Sequence, residues 1–198
     1  SYDDETGLLT VKRGALDTVP QNHLAGSVLY FADDFITVDP TEYVTGEIIN
    51  VKALTTTPSG ILDLDDTEAQ QVEIQARAIR PYPPANVKIN NVFEPADPSW
   101  PLQLTWCSRN RLQQTGGAIL GWFEGSITAE NGCSYLIEIS GENVLIKTYS
   151  VNELSFTYTK DHFLQDCVDA ELSTPGLVTF TFKTLRDGLE CLQPYACT

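Results

Sequence analysis

Leu102-Gln103-Leu104-Thr105-Trp106 sets three apolar side chains on one side of an extended chain and two polar ones on the other. The same period-two alternation returns at Tyr135, Ile137 and Ile139, in Val144–Thr148, at Phe156 and Tyr158, and at Val178, Phe180 and Phe182. The last run stops at Arg186-Asp187-Gly188, whose Asp-Gly pair signals a tight hairpin. Strands with one apolar face each, punctuated by turns, predict two packed antiparallel sheets. Upstream, alternating segments at Leu8–Val11, Ser27–Ala32, Glu47–Leu54 and Val72–Ile79 are separated by stretches rich in Asp, Gly, Pro and Thr. Only Phe163, Leu164, Cys167 and Val168 have helix-like spacing, enough for a turn or short helix within Asp161–Ala170. The chain reads as all-β.

Its 198 residues suit two domains of about 100 residues each. Pro81-Tyr82-Pro83-Pro84 favours extended geometry and removes backbone donors, so it reads as a short, stiff linker. That places an N-terminal β-barrel or sandwich-like domain over 1–80, a linker over 81–84 and a β-sandwich over 85–198. The order Leu-x-Leu-x-Trp, Tyr-x-Ile-x-Ile, Phe-x-Tyr, Val-x-Phe-x-Phe resembles fibronectin type III domains. That resemblance implies a core filled by the Trp and Tyr, with no disulfide between the sheets. Cys107, Cys133, Cys167, Cys191 and Cys197 agree, being odd in number and without CxxC spacing. Free thiols in a reducing compartment are the plain reading, and a Cys191–Cys197 disulfide the alternative.

A net charge of −15, with 12 basic residues against 27 acidic ones, disfavours nucleic acid and anionic membranes as partners. No run approaches the roughly 18 apolar residues of a membrane span, and the mixed, acidic N-terminus does not read as a signal peptide. The absence of methionine is expected of a piece cut from a longer protein, or of a processed chain.

Few residues point to chemistry. His23 lies near Asp17 and Thr18, but Asp17-Thr18-Val19-Pro20 reads as a structured turn, and a base needs a nucleophile and an orienting group. His162, between Asp161 and Phe163, reads as loop or short helix. Asp63, Asp65, Asp66 and Glu68 are the densest carboxylates, but they lack the Gly and distal Glu of a calcium loop. No phosphate loop, nucleophile elbow or dinucleotide fingerprint is present. No catalytic residue, metal site or cofactor is expected.

The segment 108–131 is more informative: roughly two dozen residues separate two strands, where about 2–6 are usual. It carries Gly116-Gly117, Ala118-Ile119-Leu120 and Trp122-Phe123. Either the apolar residues fold back as an extra edge hairpin, or the loop is a subunit or receptor contact. On the second reading the contact residues are Trp122, Phe123, Arg109, Arg111 and Trp100. Arg109 and Arg111 are expected to be solvated or to pair with a neighbour's carboxylates.

Leu9–Gly26 (LTVKRGALDTVPQNHLAG), Ala76–Asn90 (ARAIRPYPPANVKIN), Leu104–Leu112 (LTWCSRNRL) and Arg186-Asp187-Gly188-Leu189-Glu190 follow in that order. Together they resemble tail-tip or baseplate proteins of long-tailed bacteriophages and phage-like gene transfer agents. The family shows an RG-x-LDT-x-P-x-x-H-x-x-G stretch, an R-x-YPP-x-N linker and a fibronectin-like domain with a W-[ST]-R-x-R strand end. Here Cys107 is inserted before the basic run, and Asn91–Trp100 is long. The resemblance implies a virion protein, assembled in the bacterial cytoplasm as part of a trimer. It would pack on other tail proteins and help display a host-receptor-binding region. The rival readings are a glycan- or receptor-binding adhesin, with Trp100 and Trp122 stacking on sugars, and an accessory domain of a secreted hydrolase.

Overall fold

The computed structural model describes residues 2–29, 39–114, 117, 119–125 and 127–198. The chain divides into two compact units, Ser1–Asn22 with Arg80–Thr198, and His23–Ile79. The first 22 residues therefore belong with the C-terminal half, which a boundary drawn at the proline run does not anticipate. That run is itself no exposed spacer. Pro81, Tyr82, Pro83 and Pro84 are all buried, and the Arg80 guanidinium donates to the Glu190 carbonyl at 2.9 Å.

The first unit opens with β1 (Tyr2–Asp3) paired to β2 (Leu8–Leu9). In the His23–Ile79 unit, β3 (Ile48–Val51) pairs with β6 (Gln70–Glu73), and β4 (Thr56–Thr57) with β5 (Gly60–Ile61). Both ribbons are antiparallel. The expected strand Val72–Ile79 ends early because Ala76 takes φ +57°, opening a turn in which the Ile79 amide donates to the Ala76 carbonyl. Ser27–Leu29 is not a strand, and Tyr30–Ala32 lies outside the described residues. Asp63 caps a short 3-10 turn, Leu64–Asp66, by accepting from the Asp65 amide at 3.0 Å. The acidic cluster thus begins as a cap.

The rest of the first unit is the sandwich. One sheet has the order β11 (Ser155–Tyr158), β8 (Leu102–Cys107), β7 (Ala85–Ile89). The other has the order β10 (Val144–Val151), β9 (Ser134–Gly141), β12 (Val178–Arg186). The last of these also pairs with β13 (Leu189–Glu190) and β14 (Tyr195–Cys197). Three strands facing a larger antiparallel sheet is the fibronectin type III-like arrangement.

The alternation is realised residue by residue. Leu102, Leu104 and Trp106 of β8, Tyr135, Ile137 and Ile139 of β9, and Phe180 and Phe182 of β12 are buried. Asp187 and Gly188 both take positive φ, as a two-residue hairpin between right-twisted strands requires. Between β11 and β12 lies α2 (Lys160–Asp169), following the single turn α1 (Arg111–Gln114) in the long loop. Thr159 caps α2 by accepting from the His162 amide at 3.2 Å. Phe163 and Cys167, one turn apart, face the core, while Leu164 and Val168 stay exposed. All five cysteines are free thiols.

Candidate functional site

Strand β8 delivers Ser108, Arg109 and Asn110 into the protein rather than to its surface. The Arg109 guanidinium donates to the carbonyls of Glu124 (3.1 Å), Trp122 (3.3 Å) and Gly121. It collects the backbone of the long loop around one cation, and burial lowers its pKa. This corrects the expectation of a solvated or intersubunit Arg109. Asn110 Nδ2 donates to the Thr128 carbonyl at 2.9 Å, and Oδ1 of the same side chain accepts from the Gln113 backbone amide. The loop is ordered by side chain–backbone bonds. Gly116 and Ala118 lie outside the described residues, and no strand forms among the described residues between Arg111 and Cys133.

Arg111 meets the carboxylate of Glu130, whose side chain is only 2% exposed. Glu130 Oε1 accepts from the Arg111 amide at 2.7 Å, and Oε2 accepts from the guanidinium at 3.3 Å. The same Oε2 is bonded by Arg186 of β12. Glu130 is thus a buried anion between two arginines, fastening the far end of the loop to the sheet.

The N-terminal arm closes the other side. The Trp122 amide donates to the Arg13 carbonyl at 2.7 Å, and Lys12 Nζ reaches both Glu124 and the Ile119 carbonyl at 3.1 Å. The Gly121 amide, then Lys12, lower the Glu124 pKa. Gly14, at φ +58°, allows this approach: a Cβ there would stand 2.9 Å from Pro20 Cδ and 3.0 Å from Trp122 Cβ.

A cleft of about 440 Å³ results, lined chiefly by Arg13, Asn22, Glu94, Trp122, Phe123 and Tyr195. Trp122 is buried against Tyr195, with ring centroids 4.5 Å apart. Phe123 is 63% exposed and meets Phe93 edge-on at 4.9 Å. The Tyr195 hydroxyl donates to Glu94 Oε1 at 2.7 Å, and burial followed by this bond raises its pKa. Of the two aromatics expected to be exposed in the loop, only Phe123 is. Trp100 lies away from the cleft lining, half-exposed, stacked on Phe163 of α2 at 5.6 Å.

No protein-family model matches this chain, and no curated protein matches it. Among solved structures it is similar to the rat CD45 extracellular region, domains d3–d4. The TM-score is 0.35 and the identity 10%, over 90% of this chain and 76% of that one. So loose a likeness has no bearing on function.

A second polar cluster sits under α2. Buried Asp166 accepts from the hydroxyls of Tyr149 (2.6 Å) and Tyr158 (2.8 Å), and Lys147 Nζ lies 3.5 Å from its other oxygen. Both phenols have raised pKa values, through burial and then this bond. His162 stands beside Tyr158, ring centroids 6.4 Å apart. Among the described residues no group of three or more His, Cys, Asp or Glu side chains is arranged to hold a metal ion. Glu94, Tyr195, Glu130 and Asp166 gave no individual signal in the sequence, because the partners that define their roles lie elsewhere in the chain.

Proposed function

We propose that this chain is a structural and interaction module of the tail tip or baseplate of a long-tailed bacteriophage or phage-like gene transfer agent, without a catalytic role. The observation that carries the reading is the use to which its family-like motifs are put. Three stretches far apart in sequence converge in one unit. Arg13 and Gly14 hold the arm against Trp122, Arg80 and the buried prolines seat on the sandwich, and Arg109 gathers the long loop. Each residue packs or bonds to main chain, as scaffold residues do.

The His23–Ile79 unit supports the same reading. Among its described residues none is buried, and Val44, Ile48, Ile61 and Leu64 are all more than half exposed. Two-stranded ribbons are at best marginally stable in water alone. Apolar side chains in this state fit a segment covered by neighbours, here other tail proteins and further copies of the chain in a trimer. The test is electron microscopy of tailed particles decorated with antibody against this chain. Label at the distal tail end is expected. Unlabelled tails, or the protein found only apart from particles, would overturn the proposal.

A further inference from the structure

The scaffold leaves the cleft between the N-terminal arm, the long loop, the β7–β8 connection and β14 open to solvent. Its floor is the buried Trp122–Tyr195 pair, and its most exposed ring is Phe123. Phe93 holds Phe123 edge-on and is itself covered by Lys88 Nζ, 4.9 Å from the ring centre. Around these rings stand four planar polar side chains, Arg13, Gln21, Asn22 and Glu94. Glu94 is the most constrained. Its backbone sits at φ +42°, a region costly for a residue with a side chain, and Tyr195 fixes one carboxylate oxygen. The other oxygen makes no hydrogen bond among the described residues. A carboxylate held by one oxygen on the wall of a cleft can take a ligand hydroxyl on the other.

The mixture of groups selects the ligand. A strongly anionic ligand meets Glu94 and a chain of net charge −15; a strongly cationic one meets Arg13. A neutral polyol meets neither objection. A pyranose ring offers a C–H face for Phe123 and adjacent hydroxyls that planar carboxylate, amide and guanidinium groups can bond in pairs. The cleft volume of about 440 Å³ lies within the range of about 300–1,000 Å³ of small-molecule sites. We propose that this cleft binds a neutral sugar unit of an oligosaccharide, with Phe123 as the stacking platform and Glu94 as the hydroxyl acceptor. The inference is independent of the tail-tip reading.

The experiment is calorimetric titration of the whole chain with maltohexaose, cellohexaose, laminarihexaose and chitohexaose, each up to about 10 mM, where even millimolar affinity registers. Saturable binding of at least one is expected, lost in Phe123→Ala and weakened about tenfold in Glu94→Gln. Phe123 is exposed, so its removal leaves the fold in place, which near-ultraviolet circular dichroism verifies. No binding by any of the four, or binding that both variants retain, overturns the proposal. Antibody labelling of tails is unaffected by either result, so the two proposals fail separately.

Discussion

Replacing Glu130 with alanine removes the one carboxylate between Arg111 and Arg186. The Glu130 side chain is 2% exposed, and those of Arg111 and Arg186 are 19% and 13% exposed. Breaking a buried ion pair from one side typically costs about 3–5 kcal/mol, because the partner charge stays desolvated. Here two guanidiniums lose a shared partner, but both retain some access to water and other interactions, Asp187 among them at 3.3 Å from Arg186 Nε. The lower end, about 3 kcal/mol, is therefore expected. For a unit of roughly 140 residues that lowers the midpoint of thermal unfolding by about 9 °C. Urea unfolding followed by circular dichroism measures the cost, and a cycle with Arg186→Ala measures the coupling, expected to be about 1–3 kcal/mol. A Glu130→Ala cost below about 1 kcal/mol, or costs that simply add in the double variant, would refute the buried clamp.

Gly14→Ala should destabilise the first unit by about 2 kcal/mol or more, from the left-handed backbone and the contacts with Pro20 and Trp122. It should also speed proteolysis of the N-terminal arm; an unchanged cleavage rate would show that the arm does not depend on this approach. Trp122→Ala should cost about 3–5 kcal/mol in urea unfolding, while Phe123→Ala stays within about 0.5 kcal/mol. Equal costs for these neighbours would contradict their opposite burial. Burial raises the thiol pKa of Cys191 to about 11 and of Cys197 to about 12, from an ordinary value of 9.0. Their folded pKa values lie above the unfolded one, so their contribution to stability is complete below pH 9 and is lost as pH rises through 11 to 12. In a thiol-reagent assay at pH 8, half-buried Cys107 and Cys133 should react first, with Cys167, Cys191 and Cys197 waiting for denaturant. Immediate reaction of all five would refute this packing.

The sandwich was legible because alternation is a local property. Leu102-x-Leu104-x-Trp106 and Val178-x-Phe180-x-Phe182 need no knowledge of their partners to declare which face is apolar, and all but the half-buried Val178 lie buried on that face. The Asp187-Gly188 hairpin was legible for the same reason, since φ preference belongs to the residue. The α2 helix was half legible: its spacing shows, yet Leu164 and Val168 of the apolar stripe point outward while polar Asp166 is buried. Two tyrosine hydroxyls from other strands make that burial tolerable, and nothing near Asp166 in sequence announces them.

By itself, then, the sequence determined the all-β class, the sandwich strands and their inward faces, because these depend on periodicity and turn chemistry within a few residues. Tertiary structure alone decided that residues 1–22 return to the C-terminal unit and that the proline run is buried. It also turned Arg109 and Trp122 inward and left Phe123 exposed. The physical reason is that a charge or an aromatic ring in a long loop has no preferred side until its partners arrive. Arg109 is held by the carbonyls of Gly121, Trp122 and Glu124, and Glu130 by arginines 19 and 56 positions away. Those partners lie too far along the chain for local sequence preference to choose them.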